Sequence, residues 1–98
     1  MPEHRFDYER SQLERILQER TQNSELDVRP YGKHLNVLLP SADGTPETIA
    51  RATEVGRDQF TAYFRNHAQK WEPLPIWGTL PEVANGIADL LGPYLVSG

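Results

Sequence analysis

The chain contains no cysteine, which removes disulfide staples, thiol catalysis and cysteine-ligated zinc together. Stability must then come from packing or from association. No apolar run approaches the ~20 residues that span a bilayer, and the opening "MPEHRFDYER" lacks the apolar stretch of a secretory signal. The sequence therefore predicts a cytoplasmic protein with no membrane partner. Motifs with a fixed chemistry are missing as well: there is no Gly-x-Ser-x-Gly turn, no His-Glu-x-x-His, and "SADGTPE" has one glycine and no lysine, unlike a phosphate-binding loop. His4, His34 and His67 lie about thirty residues apart without a second ligand at helical spacing, so neither a metal site nor a cofactor is expected.

Charge is in short supply on the basic side. The net charge is −4, and residues 1–27 hold seven acidic against four basic groups, whereas residues 51–70 hold four basic against two acidic. An acidic chain argues against a dedicated nucleic-acid binder, whose affinity rests on neutralising phosphates. The locally positive middle keeps that class open as the weaker alternative.

What is present reads as one domain over residues 1–98, since a chain of 98 residues supports one modest core. From Arg5 to about Gln22, glycine and proline are absent and Phe6, Leu13, Ile16 and Leu17 form a narrow stripe, which predicts a helix. Arg10 with Glu14 and Arg15 with Glu19 are i,i+4 pairs suited to its solvated face. Leu26 and Val28, then Leu35, Val37 and Leu39, alternate with polar residues around a "PYGK" turn and predict a hairpin.

Residues 45–69 carry two periodicities. Ile49, Ala52, Gly56, Phe60, Tyr63 and His67 have nearly helical spacing, but "EVGRDQ" is turn-like and "QFTAYFR" alternates with a period of two. A second hairpin is the expectation, with a single long helix as the alternative. In "GTLPEVANGIADLLGP", Thr79 is the expected N-cap, Glu82 its capping-box partner and Pro81 a first-turn residue. Val83, Ile87, Leu90 and Leu91 line one face, Gly86 would let the helix approach a sheet, and Gly92-Pro93 should end it.

The expected fold is therefore α+β, an antiparallel sheet of about four to five short strands flanked by an N-terminal and a C-terminal helix in α-β-β-β-β-α order, both helices on one face. The order of elements is similar to that of double-stranded RNA-binding domains. Those domains open their second helix with a lysine-rich patch, whereas "TLPEVANG" has no basic residue.

"KWEPLPIWGT", residues 70–79, holds both tryptophans of the chain. Pro73 and Pro75 lack the N–H that a central strand needs on both sides, so the stretch is an edge strand or a polyproline-like border. Leu74 and Ile76 share one face, and Trp71 and Trp77 share the other. The tryptophans face inward if the small core needs their bulk. They face outward if Leu74 and Ile76 meet the helices, and then Tyr63, Arg65, His67, Trp71 and Trp77 form an aromatic and basic platform.

These five are the candidate binding residues of a non-catalytic interaction module, its partner a second copy of the chain or another protein. No catalytic residue is assigned. The alternative from another class is a small hydrolase using His67 with Glu72 or Asp58, because imidazole titrates near neutrality. In the nucleic-acid alternative, Tyr63, Trp71 or Trp77 would stack on bases while Arg51, Arg65 and Lys70 hold phosphates.

Overall fold

Leucines at 13 and 17 and a threonine at 21 fall four residues apart, so a helix buries all three on one stripe. In the computed structural model, which describes residues 7–66 and 68–95, that helix is α1, Asp7–Thr21. Arg10 and Glu14 form the expected i,i+4 pair at 3.5 Å. The helix ends where Gln22 takes a φ of 54°, a left-handed conformation that halts propagation. Phe6 lies outside the described residues.

Five strands follow: β1 Asp27–Tyr31, β2 His34–Pro40, β3 Pro46–Gly56, β4 Gln59–Arg65 and β5 Trp71–Gly78. They pair antiparallel in the order β1-β2-β3-β4-β5, so each strand meets its sequence neighbour. Residues 45–69 form the second hairpin, not a long helix, with Asp58 turning the chain at a φ of 54°. Period two wins there because it places Ala50, Ala52, Phe60 and Ala62 together on the buried face. The first hairpin turns at Gly32-Lys33, later than "PYGK" suggests, with Pro30 and Tyr31 still in β1. A register shift beside Val37/Leu38 buries Leu38 to 8% exposure, while Leu39 is only partly buried.

Helix α2, Leu80–Leu95, begins as its sequence demands. The Glu82 carboxylate accepts from the Thr79 amide at 2.8 Å and from the Thr79 hydroxyl at 3.1 Å, and those two bonds hold its carboxyl below the ordinary value. Gly78, at a φ of 142°, holds a backbone conformation that L side chains rarely adopt, and a Cβ there would also displace the Glu82 carboxylate, whose oxygen would stand 2.5 Å away.

The helix does not end at Gly92-Pro93; it continues through Pro93 to Leu95. Proline forfeits one hydrogen bond to the preceding turn. Against that loss Leu95 is fully buried, and its carbonyl accepts from Asn23 Nδ2 at 2.7 Å. Asn23 is itself buried, and its Oδ1 accepts from the Glu25 amide at 3.0 Å, so one side chain ties the exit of α1 to the end of α2.

Both helices lie on the same sheet face. The core joins Leu13 and Leu17 of α1 with Val83, Ile87, Leu91 and Leu95 of α2 over Val28, Leu35, Val37, Ala50, Ala62 and Ile76. Seating α2 depends on Gly86, where an added Cβ would lie 2.8 Å from Ile76 Cγ2 and 3.1 Å from its Cδ1. Gly86→Ala would gain about 1 kcal/mol of helix propensity. It would also overpack a stiff β-branched neighbour, at a cost of ~1–3 kcal/mol. The expected outcome is a lower urea midpoint for Gly86→Ala, and a smaller loss from Gly86→Ala when it is made in an Ile76→Ala background than in the parent chain; a midpoint raised by Gly86→Ala alone contradicts this packing.

Candidate interaction surface

In an antiparallel sheet the residues opposite one another point to the same side, so register decides which side chains share the face away from the helices. Arg29 faces Asn36, which faces Arg51, which faces Tyr63, which faces Pro73. In the neighbouring rows Tyr31, His34, Thr53, Thr61 and Trp77 lie in register, and Arg65 faces Trp71. The wide bulge in β5 sets Leu74, Pro75 and Ile76 against Ala62 and, being two residues long, leaves both tryptophans on one side.

Four of the five candidate binding residues, Tyr63, Arg65, Trp71 and Trp77, are thus brought onto one open face. The fifth, His67, lies outside the described residues. The inward placement of the tryptophans does not occur: Trp77 is 71% exposed and Trp71 is half-buried. The core closes without them because Phe60, Ala62 and Ile76 fill the space under α2.

The centre of the face is Arg51, which in the sequence stood out only as a phosphate contact. Its guanidinium carbon lies 4.1 Å from the Trp71 ring centre and 5.3 Å from that of Tyr63, while Arg65 approaches the same Trp71 ring at 5.4 Å. Cations over aromatic faces gain ~0.5–2 kcal/mol each, more as water is excluded. Arg51 reaches Trp71 across the whole of β4, a contact between strands two apart that alternation along one strand cannot reveal. Beside it, Arg51 Nε and Asn36 Oδ1 are sealed from solvent with no hydrogen-bond partner among the described residues. Groups left that way cost on the order of 1–3 kcal/mol each.

Neither Arg51 nor Arg65 has a carboxylate counter-ion among the described residues, whereas Arg29 on the same face pairs with Asp27 at 2.7 Å. Burial raises the Asp27 pKa, but the hydrogen bond and charge of Arg29, together with Glu14 and the Val28 backbone, more than offset it and hold the carboxyl below its ordinary value.

Both sheet edges are closed to further strands. On β1 the outward N–H of Val28 is taken by Glu14 Oε1 at 3.2 Å, and Pro30 has none to offer. On β5 the outer side is interrupted by Pro73 and Pro75. A partner strand finds no continuous row of donors at either border, which leaves the open face as the accessible part of the sheet.

The hydrolase reading offers Glu72 or Asp58 as the partner of His67, which lies outside the described residues. Asp58 sits at one end of β4 and the Asn66–Lys70 loop at the other, separated by roughly 20 Å of strand. Glu72 accepts from Asn66 Nδ2 at 2.6 Å, and Asn66 Oδ1 accepts from the amides of Ala68 and Lys70, so this polar cluster closes a loop. Glu72 also borders a hollow of about 540 Å³ walled by Ile49, Phe64, Leu91, Tyr94 and Leu95. His34 Nδ1 is 2.8 Å from Thr53 Oγ1. Among the described residues no three histidine, cysteine, aspartate or glutamate side chains gather into a metal site.

No family model and no curated protein matches the sequence, and no solved structure matches the fold.

Burial lowers the His34 pKa below 6.5, and the charges of Arg51 and Lys33 lower it further. The fold therefore prefers neutral imidazole. Stability linked to this group is fully present above the unfolded value of 6.5 and is lost as pH falls through the lower folded value. Denaturant midpoints measured from neutral to mildly acidic pH should fall more steeply in the parent chain than in His34→Gln. Equal slopes would remove His34 from the account.

Proposed function

We propose that this chain is a non-catalytic protein-interaction module whose contact surface is the open sheet face. The observation that carries the reading is Trp77, a large apolar side chain 71% exposed on a face where Trp71, Tyr63 and Arg51 already stand stacked and ordered. Aromatics and arginine dominate the energetics of protein interfaces because they bring large contact area with few rotatable bonds. The closed edges support a partner that lies on the face over one that extends the sheet.

A second copy of the chain is the simplest partner in principle. The charge distribution weighs against two such faces meeting squarely, since symmetry would bring Arg51 and Arg65 of each copy toward the same basic surface of the other. A different protein avoids that repulsion. No helix among the described residues is long and apolar enough to cross a membrane, and nothing in this reading calls for one.

The test uses a partner recovered by affinity capture and then reconstituted from pure components. Trp77→Ala should weaken binding at least tenfold, or about 1.4 kcal/mol, while shifting the unfolding free energy by no more than about 0.5 kcal/mol, because the side chain is exposed. Glu14→Ala, which uncaps the β1 edge, should bind the partner as the parent does. A partner indifferent to Trp77 and Trp71 but sensitive to the edge refutes the reading, and sedimentation of the chain alone shows whether the partner is a second copy.

A further inference from the structure

The open face holds two arginines against one indole. Arg51 and Arg65 lie 4.1 and 5.4 Å from the centre of the Trp71 ring, and neither has a carboxylate counter-ion among the described residues. Two like charges gathered on one ring repel, and the aromatic face offsets only part of that. The chain does not lack acids, for its net charge is −4. They sit elsewhere: Asp7, Glu9, Glu14 and Glu19 on α1, and Glu72 on the helix side of β5. Among the described residues Asp27, engaged by Arg29, is the acid in the rows of this face, while Glu47 and Glu72 border, with Arg65, the hollow beside Leu91 and Leu95. The surface is therefore basic and aromatic on an otherwise acidic molecule.

We propose that the Arg51–Arg65 pair over Trp71 is a carboxylate-binding site, and that the partner of the sheet face is an acidic segment of another protein. The inference rests on the reading of this face as a protein contact surface and adds the chemistry of what it accepts. Guanidinium planes held on aromatic rings are pre-oriented, so less side-chain entropy is lost when they take a carboxylate in bidentate fashion. The rings also restrict water around Arg51, which is half-buried, and that strengthens an ion pair formed there. Pro73, in register with Tyr63, and Trp77, in register with Thr61, supply apolar surface alongside for the residues that flank a glutamate or aspartate. A segment alternating acidic and apolar residues matches that pattern. An incoming carboxylate would give the two arginines their missing counter-charge.

The probes are a synthetic peptide of about ten residues alternating glutamate with leucine, its glutamine-for-glutamate counterpart, and an oligo-uridine of similar length. Binding is followed through the fluorescence of Trp71 and Trp77, the two tryptophans of the chain. The glutamate peptide should bind, the glutamine peptide should bind at least tenfold more weakly, and added salt should weaken the first and not the second. Arg65→Gln, at an exposed position, should cost the glutamate peptide about tenfold without changing the melting temperature or circular dichroism. Arg51→Gln should cost at least as much; if it destabilises the fold, Arg65→Gln alone still decides.

Equal binding of the two peptides, both lost in Trp77→Ala, overturns the carboxylate site while leaving the contact surface standing. Indifference of a reconstituted partner to Trp77 removes the reading beneath it. Tighter binding of oligo-uridine than of the glutamate peptide, released by Arg65→Gln, overturns the proposal in favour of a nucleic-acid surface. Binding of no probe overturns it as well.

Discussion

Gly86 sits where a methyl group would stand 2.8 Å from Ile76, and the rest of the molecule is arranged around that approach. It lets α2 lie directly on β5, which buries Ile76 and fixes the side of the sheet that belongs to the core. Because strand side chains alternate, the choice made at Ile76 turns Trp77 the other way. It also turns away Trp71, in register with Arg65, and Pro73, in register with Tyr63, which is itself in register with Arg51. A single close contact between a helix and an edge strand thus decides which face is covered and what the uncovered face displays.

The two ends of that helix are tied down by different chemistry. At its start the Glu82 carboxylate collects the amide and hydroxyl of Thr79. At its finish the buried Asn23 donates to the Leu95 carbonyl, a bond that links the close of the first helix to the close of the last. The meander between them needs no crossover, since each strand pairs with the one before it. Local pairing of this kind keeps loop-closure cost low. What remains exposed is a sheet face with proline or a capped amide at both borders, so an interaction is directed onto the face.

Most of the architecture was legible in the sequence. Alternation in "QFTAYFR" marked a strand, and burial of Phe60 and Ala62 agrees with it. Pro73 and Pro75 marked an edge, and β5 is one. Misreadings fell where tertiary contacts overrode local rules. Pro93 should stop a helix, yet full burial of Leu95 and its bond from Asn23 carry the helix past it. Leu39 should be the buried member of its pair, yet a register shift buries Leu38 more deeply. Both outcomes depend on residues distant in the chain, which no local pattern contains.

The same division separates the parts of the candidate surface. That Trp71 and Trp77 share a face followed from period two alone, because alternation is a property of the extended backbone. Which way that face points did not follow, since either side of "WEPLPIW" is apolar enough to be buried. Packing of Ile76 under Gly86 settled it. The role of Arg51 was further out of reach: its contact with Trp71 spans two strand spacings and twenty residues of sequence, and only pairing of β3 with β4 and β4 with β5 brings them together. Sequence by itself determined the elements and the pairing of side chains along each strand, because those depend on neighbours in the chain. The tertiary structure alone decided the outward face and the arginine stack upon it, because those depend on what each strand lies against.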